Sequence, residues 1–230
     1  MYSIWDNFFG GSYPIWYLTL DHIGLCVIPI LVGFFVSIPL GYLASRSRGA
    51  RSILISVFSI LYTLPSIVLF VVVPVTLGLA ILDPTNVIVA LSIYAVAIMV
   101  RSSADAFSSV SADVRESARA VGYSPAQRFF QVELPLAGPV LLAGMRIVSV
   151  STVSLATVGV FIGIPSLGLL FTDAFNRQIP LEAVTGIVAV LILALIFDVI
   201  LSTIARILLP WNRRESRRRA ARTASKAVVM

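Results

Sequence analysis

The residues able to do chemistry are few in this sequence, and their spacing limits what that chemistry can be. His22 is the only histidine, Cys26 the only cysteine and Lys226 the only lysine. A Ser-His-Asp triad or a histidine metal site has little to build on. One cysteine permits neither an intramolecular disulfide nor a thiolate cluster within one chain. A Walker A loop needs Gly-x-x-x-x-Gly-Lys-Ser/Thr, and the sequence holds none. If the work of this protein consumes ATP, another subunit must bind the nucleotide. Asp105, Asp113, Glu116 and Glu133 lie near one another in sequence, with no histidine nearby. Carboxylates so placed cap helices or pair with arginines rather than catalyse. No Gly-x-Ser-x-Gly elbow or metal-ligand spacing appears, so an enzyme is not expected, and no cofactor is expected in this chain.

The elements that position these residues are apolar. Of 230 residues, 58% are hydrophobic and 12% charged, with mean hydropathy +0.98. That composition, with apolar runs long enough to cross a bilayer, predicts an all-α, multi-pass integral membrane protein. The first span is expected over His22–Leu43, with Pro29 and Pro39 inside it. Residues 53–82 are long for one crossing and are interrupted by Pro65 and Pro74, which leaves one kinked span or a broken segment lining a cavity. A third span is expected over Val87–Phe107, where Arg101 and Asp105 are spaced to pair along one helix face. A fourth runs from Leu136 to about Ile162, an irregular connection follows from Gly163 to Pro180, and a fifth runs from Leu181 to Leu209.

Residues 1–21 hold Tyr2, Trp5, Phe8, Phe9, Tyr13, Trp16 and Tyr17 and read as an aromatic segment at the membrane interface, not as a secretory signal. Residues 210–230 form a basic tail: Arg213 to Lys226 holds seven of the 17 basic residues and one acid, Glu215. Placed directly after an apolar span, this run reads as a positive-inside anchor and not as a nucleic-acid arm. The 46–51 loop and the 108–135 segment are also rich in arginine. Five spans put every basic segment on one side, with the N-terminus out and the C-terminus in.

Arg146 and Asp198 are the two ions set deep in these spans. At 1.5 Å per residue both lie roughly 15–17 Å from the cytoplasmic interface, a depth that suits a salt bridge between neighbouring helices; the alternative is a substrate or ion site. Tyr62, Pro65, Phe70 and Tyr94 are candidates to line a translocation path, although aromatics such as the three here are more often packing residues.

Residues 113–135 are the longest polar interval between apolar runs. Asp113 followed by Glu116 matches a capping box, Gly122 fits the left-handed position after a helix end, and Ser124-Pro125 with Gln127 forms a second box. Pro135 is expected to close the unit, and Val110, Val114, Ala118 and Val121 to form one apolar stripe. The pattern predicts a helix–Gly–helix hairpin that is either a docking surface or a structured loop.

This hairpin resembles the EAA loop of permease subunits of ATP-binding-cassette importers. That pattern is Glu-Ala-Ala, three residues, Gly, nine residues, Ile, one residue, Leu-Pro. Here Glu116-Ser117-Ala118, Gly122, Val132 and Leu134-Pro135 stand at the same spacing, with Ser117 and Val132 as mild departures. A wider resemblance, to glycine betaine/carnitine/choline permeases, covers roughly residues 20–209. It rests on His22-Ile-Gly-Leu25, Ser37-Ile-Pro-Leu-Gly41, Tyr62-Thr-Leu-Pro-Ser66, Val132-Glu-Leu-Pro-Leu136 and Leu142-Ala-Gly-Met-Arg146. Where those permeases often carry Gly-Ala-Gly-Gly-Leu-Gly, this chain has Gly163-Ile-Pro-Ser-Leu-Gly168. The resemblance implies a methionine-importer-type permease fold in a bacterial inner membrane. The partners it implies are two ABC ATPase subunits that bind ATP, a second permease subunit and an extracytoplasmic binding protein. It also implies an ATPase-coupling role for Glu116, Ser117, Ala118, Gly122, Leu134 and Pro135. A gradient-driven transporter or channel, and an ABC permease for another small solute such as an amino-acid derivative, are the competing readings.

Overall fold

The computed structural model describes residues 14–211. The aromatic stretch before Pro14 and the basic tail after Trp211 lie outside the described residues. What is described is helical: α1 Ile15–Arg46, α2 Arg48–Thr63, α3 Ser66–Leu77, α4 Pro84–Ser108, α5 Ala112–Ala120, α6 Pro125–Gln127, a π-helical turn Arg128–Glu133, α7 Leu134–Ala156, a 3-10 turn Thr157–Ile162, α8 Leu169–Asn176 and α9 Pro180–Leu208. Four stretches are long and apolar enough to cross a membrane: α1, α4, residues 125–162 and α9. Counting α2 and α3 as one broken crossing gives five.

Helix α4 is the hub. It packs along α1, α7 and α2, and 61% of its most apolar window is buried, against 17% for α9 at the periphery. The α1–α4 seam rests on small residues. A Cβ at Gly33 would lie 2.7 Å from the Ala95 Cβ, and one at Gly41 only 2.6 Å from the Ser103 carbonyl carbon. Between them Ser37 donates its hydroxyl to the Val96 carbonyl at 3.3 Å. Gly33, Ser37 and Gly41 recur every four residues and share one face of α1, so the two backbones approach as in other small-residue membrane interfaces. The same device joins α7 to α4, where a Cβ at Gly144 would lie 2.6 Å from the Ser102 Cβ.

The structure decides the open question over residues 53–82. α2 and α3 meet at a bend of 100°. Pro65 has no N–H and crowds the residue before it, so Leu64 is extended (φ −65°, ψ 137°) and the α2 ladder ends there. The Tyr94 hydroxyl donates to the freed Leu64 carbonyl. Neither arm, at roughly 24 Å and 18 Å, spans a core of about 30 Å alone. α3 ends at Gly78 in the left-handed region (φ 67°).

Two expected boundaries change. α1 begins at Ile15, so Trp16 and Tyr17 belong to the first turn of the span helix and not to a separate interfacial segment. The 163–180 connection is not wholly irregular: it contains α8, which buries Leu170 and Ala174. The short apolar run Leu169-Leu170-Phe171 gave too little periodicity to announce a helix.

Candidate functional site

The hairpin at 111–135 is built almost wholly by local bonds. α5 is capped by Ser111, whose Oγ accepts from the Val114 N–H at 3.4 Å. The expected Asp113–Glu116 box is therefore not the cap. Asp113 is already inside the first turn, where its charge meets the positive end of the helix dipole. The helix closes with two bonds: the Tyr123 N–H reaches the Ala118 carbonyl at 3.1 Å and the Gly122 N–H the Arg119 carbonyl at 3.1 Å. This is a Schellman ending, and it puts Gly122 at φ 87°. Ser124 then forms the expected reciprocal box with Gln127, at 2.8 and 3.3 Å.

Pro135 does not close the unit. Residues 125–162 run as one helical rod, with Pro135 in the first turn of α7. The π turn ends just before it, with the Leu134 N–H bonded to the Phe129 carbonyl. The wider turn makes room where a proline ring would crowd the carbonyl one α-turn back. The apolar stripe is also split. Val110 and Ala118 are buried, whereas Val114 and Val121 face outward beside Tyr123 and Phe130. Glu116 and Ser117 are exposed on the same hairpin, and Leu134 and Pro135 are half-buried at its root.

The root is anchored by contacts that the sequence did not announce. Phe129 packs edge-on against Tyr42, with centroids 4.7 Å apart, and stacks on Phe107 at 5.8 Å. Glu133, 1% exposed, receives Arg46 Nη2 at 3.1 Å. The Arg46 guanidinium also bonds the Tyr42 hydroxyl and lies 4.4 Å from that ring's centroid. Sequence reasoning treated Glu133 as one carboxylate among several. Its position one residue before Leu134-Pro135, on an apolar helix start, was the available signal.

Arg146 and Asp198 meet as a fork: Nε to Oδ1 at 2.6 Å and Nη2 to Oδ2 at 2.7 Å, joining α7 to α9. The expected Arg101–Asp105 pair does not form. Asp105 is taken by Arg51 Nη2 at 2.5 Å, and Arg51 Nη1 also reaches the Ser108 hydroxyl at 3.0 Å. The start of α2 lies against the end of α4, so the interhelical partner displaces the one a turn away.

Of the four candidate path residues, Tyr62 lines an open cleft of about 400 Å³ between α2, α4 and α7, which also holds Arg101. Pro65 sits exposed at the α2–α3 bend. Phe70 and Tyr94 do not line the cleft; they are 0% and 3% exposed, in the core beneath the bend. Among the described residues, no cluster of His, Cys, Asp and Glu is arranged to hold a metal ion.

The chain resembles known transport proteins over most of its length. It is 32% identical to the choline transport system permease protein OpuBB of Bacillus subtilis, over 84% of this chain and 88% of that one. It is 30% identical to the glycine betaine/carnitine/choline transport system permease protein OpuCB of the same organism, over 84% and 88%. It is 32% identical to the osmoprotectant import permease protein OsmY of Salmonella typhimurium, over 84% and 82%. Its fold matches that of a chain from the MetNI methionine ABC transporter, solved in inward-facing conformations, with TM-score 0.71, 21% identity and coverage of 86% and 99%. Residues 33–214 match the family of binding-protein-dependent transport system inner membrane components. The chain belongs to that family: it is a multi-pass, inner-membrane permease subunit of an ABC importer, not an enzyme.

Proposed function

We propose that this subunit forms the translocation path for a compatible solute such as glycine betaine, choline or carnitine, and that the 111–135 hairpin couples it to a separate ATPase. One observation carries the coupling role. A hairpin rigidified by a Schellman ending and a capping box displays exposed Val121, Tyr123 and Phe130, and is continuous with a membrane-crossing rod. Exposed apolar side chains on a polar hairpin fit a groove on a partner. The solute class is supported by the relatives' names. The membrane family works with an ATPase and a solute-binding protein. Here the ATP site belongs to the ATPase, a second permease subunit completes the path, and the N-terminus faces out with the hairpin inside. Glu116, Ser117, Ala118, Gly122, Leu134 and Pro135 carry the docking and its transmission.

The test is reconstitution of the permease, ATPase and binding protein in proteoliposomes, with uptake of labelled solute and ATP hydrolysis followed together. Solute-loaded binding protein is expected to stimulate hydrolysis and drive uptake. Glu116→Lys is expected to leave the permease inserted but to stop uptake. Nucleotide-independent uptake by the permease alone would show a gradient-driven carrier instead.

A further inference from the structure

Two grooves flank α2, and they differ in chemistry. One is lined by Ile28, Val36, Leu61, Ile93 and similar side chains, with Ser92 bonded back to its own helix. It suits acyl chains. The other holds Arg101 together with Phe58, Ser59, Tyr62, Thr63 and Ser151. In that cleft Arg101 is exposed and has no carboxylate partner among the described residues, because Asp105 is engaged by Arg51. It lies about 10 Å short of the end of α4, within a helix long and apolar enough to cross a membrane. An unpaired guanidinium there is costly to keep, and intramembrane charges mark substrate pathways.

The ligand chemistry follows from the side chains present. A guanidinium offers a planar fork of donors that matches a carboxylate and repels a cation. Phe58 and Tyr62, which line the same cleft, are aromatic residues of the kind that attract a quaternary ammonium group. We propose that Arg101 holds the carboxylate of the passing solute, so that this subunit favours carboxylate-bearing zwitterions such as glycine betaine over the bare cation choline. This rests on the compatible-solute reading above.

The test has two arms. In the first, the assembled permease–ATPase complex, without binding protein, is equilibrated by dialysis against labelled glycine betaine or choline. Wild type is expected to retain glycine betaine at least about ten-fold better than choline, a difference of about 1.4 kcal/mol. Arg101→Gln is expected to erase that preference and Arg101→Lys, which keeps the charge without the fork, to retain part of it. In the second arm, uptake by the complete importer is measured for both solutes, in vesicles with and without anionic lipid. Arg101→Gln is expected to cut glycine betaine uptake at least about ten-fold while choline uptake holds or rises. Equal loss for both solutes, an effect that follows anionic lipid, or no wild-type preference in dialysis overturns the proposal. Wild-type uptake of choline alone also overturns it but leaves the compatible-solute reading standing. Uptake of neither solute overturns both.

Discussion

The α1–α4 seam makes a sharp prediction about one methyl group. Replacing Gly41 by Ala places a Cβ 2.6 Å from the Ser103 carbonyl carbon and 2.7 Å from the Ala104 nitrogen, besides meeting the Ser103 Cβ itself. All are shorter than real Cβ contacts, and two of the three obstacles are backbone, so no side-chain rotation relieves them. α1 and α4 must separate locally. Overpacking of this kind costs about 1–3 kcal/mol, and the better helix propensity of Ala returns only about 0.5–1. The same helix supplies the control: at Gly24 a Cβ meets nothing within 4 Å, so Gly24→Ala should be neutral or slightly stabilising. Thermal unfolding of the purified subunit, followed by loss of monodispersity in detergent, reads both. Gly41→Ala should unfold at lower temperature than wild type and Gly24→Ala should not. Adding Ser103→Gly to Gly41→Ala should recover only part of the loss: it removes one obstacle and a hydroxyl that is buried without a partner, but the Ser103 and Ala104 backbone atoms stay in the way and a mid-helix glycine has its own cost. If Gly41→Ala and Gly24→Ala behave alike, the close-packed seam is wrong.

Three further outcomes follow from the geometry. Gly122 has open space around it, so a substitution there is penalised by its φ of 87° and not by crowding. Gly122→Val should lose uptake per ATP hydrolysed, while Gly122→Asn, whose side chain tolerates left-handed backbone, should keep most of it. Arg146→Ala and Asp198→Ala should each lower stability or insertion, and the double variant should be better tolerated than either, since neither charge is then stranded; a double no better than the singles refutes the lock. Arg46→Ala should destabilise more than Glu133→Ala in the same unfolding assay. The first strands a carboxylate that is 1% exposed, whereas the second leaves a guanidinium that is 38% exposed and still bound to Tyr42. Equal losses would show that the pair does not anchor the hairpin root.

What the sequence made legible was governed by local bonds or by bulk hydropathy. The spans at α4 and α9 fall within a few residues of their expected ends, because long apolar runs leave little choice. Gly122 and the Ser124–Gln127 box were readable because their partners lie within a few residues. Ser111 was missed as the cap because Asp113, two residues on, satisfies the same spacing rule with Glu116. What needed the fold was choice between partners. Asp105 has an arginine one turn away and another in α2, and only the packing of α2 on α4 selects Arg51. Phe70 and Tyr94 look like path aromatics in an apolar run, yet the bend at Pro65 folds α3 onto α4 and buries Phe70 of the one and Tyr94 of the other. The glycine–serine–glycine seam on α1 was visible as a spacing of four, but without its α4 counterpart the spacing says only that something comes close.

The π turn at 128–133 has one more consequence. A π turn holds an extra residue in the helical winding. Its collapse to ordinary α geometry would advance everything beyond it by about 1.5 Å and turn it by about 100°. α7 lies beyond that turn, and two contacts oppose such a screw motion: Gly144 seated on Ser102 of α4, and Arg146 forked onto Asp198 of α9. Phe129 and Glu133 pin the turn itself to Tyr42 and Arg46 on α1. With rotation opposed at its base and at its middle, the rod, 38 residues long, would pass a push on the hairpin onward as a tilt if the hairpin couples as proposed. Over roughly 57 Å, a tilt of a few degrees moves the far end by several ångströms. In that coupling role the element would serve as a stiff transmission shaft, able to lean but not to spin.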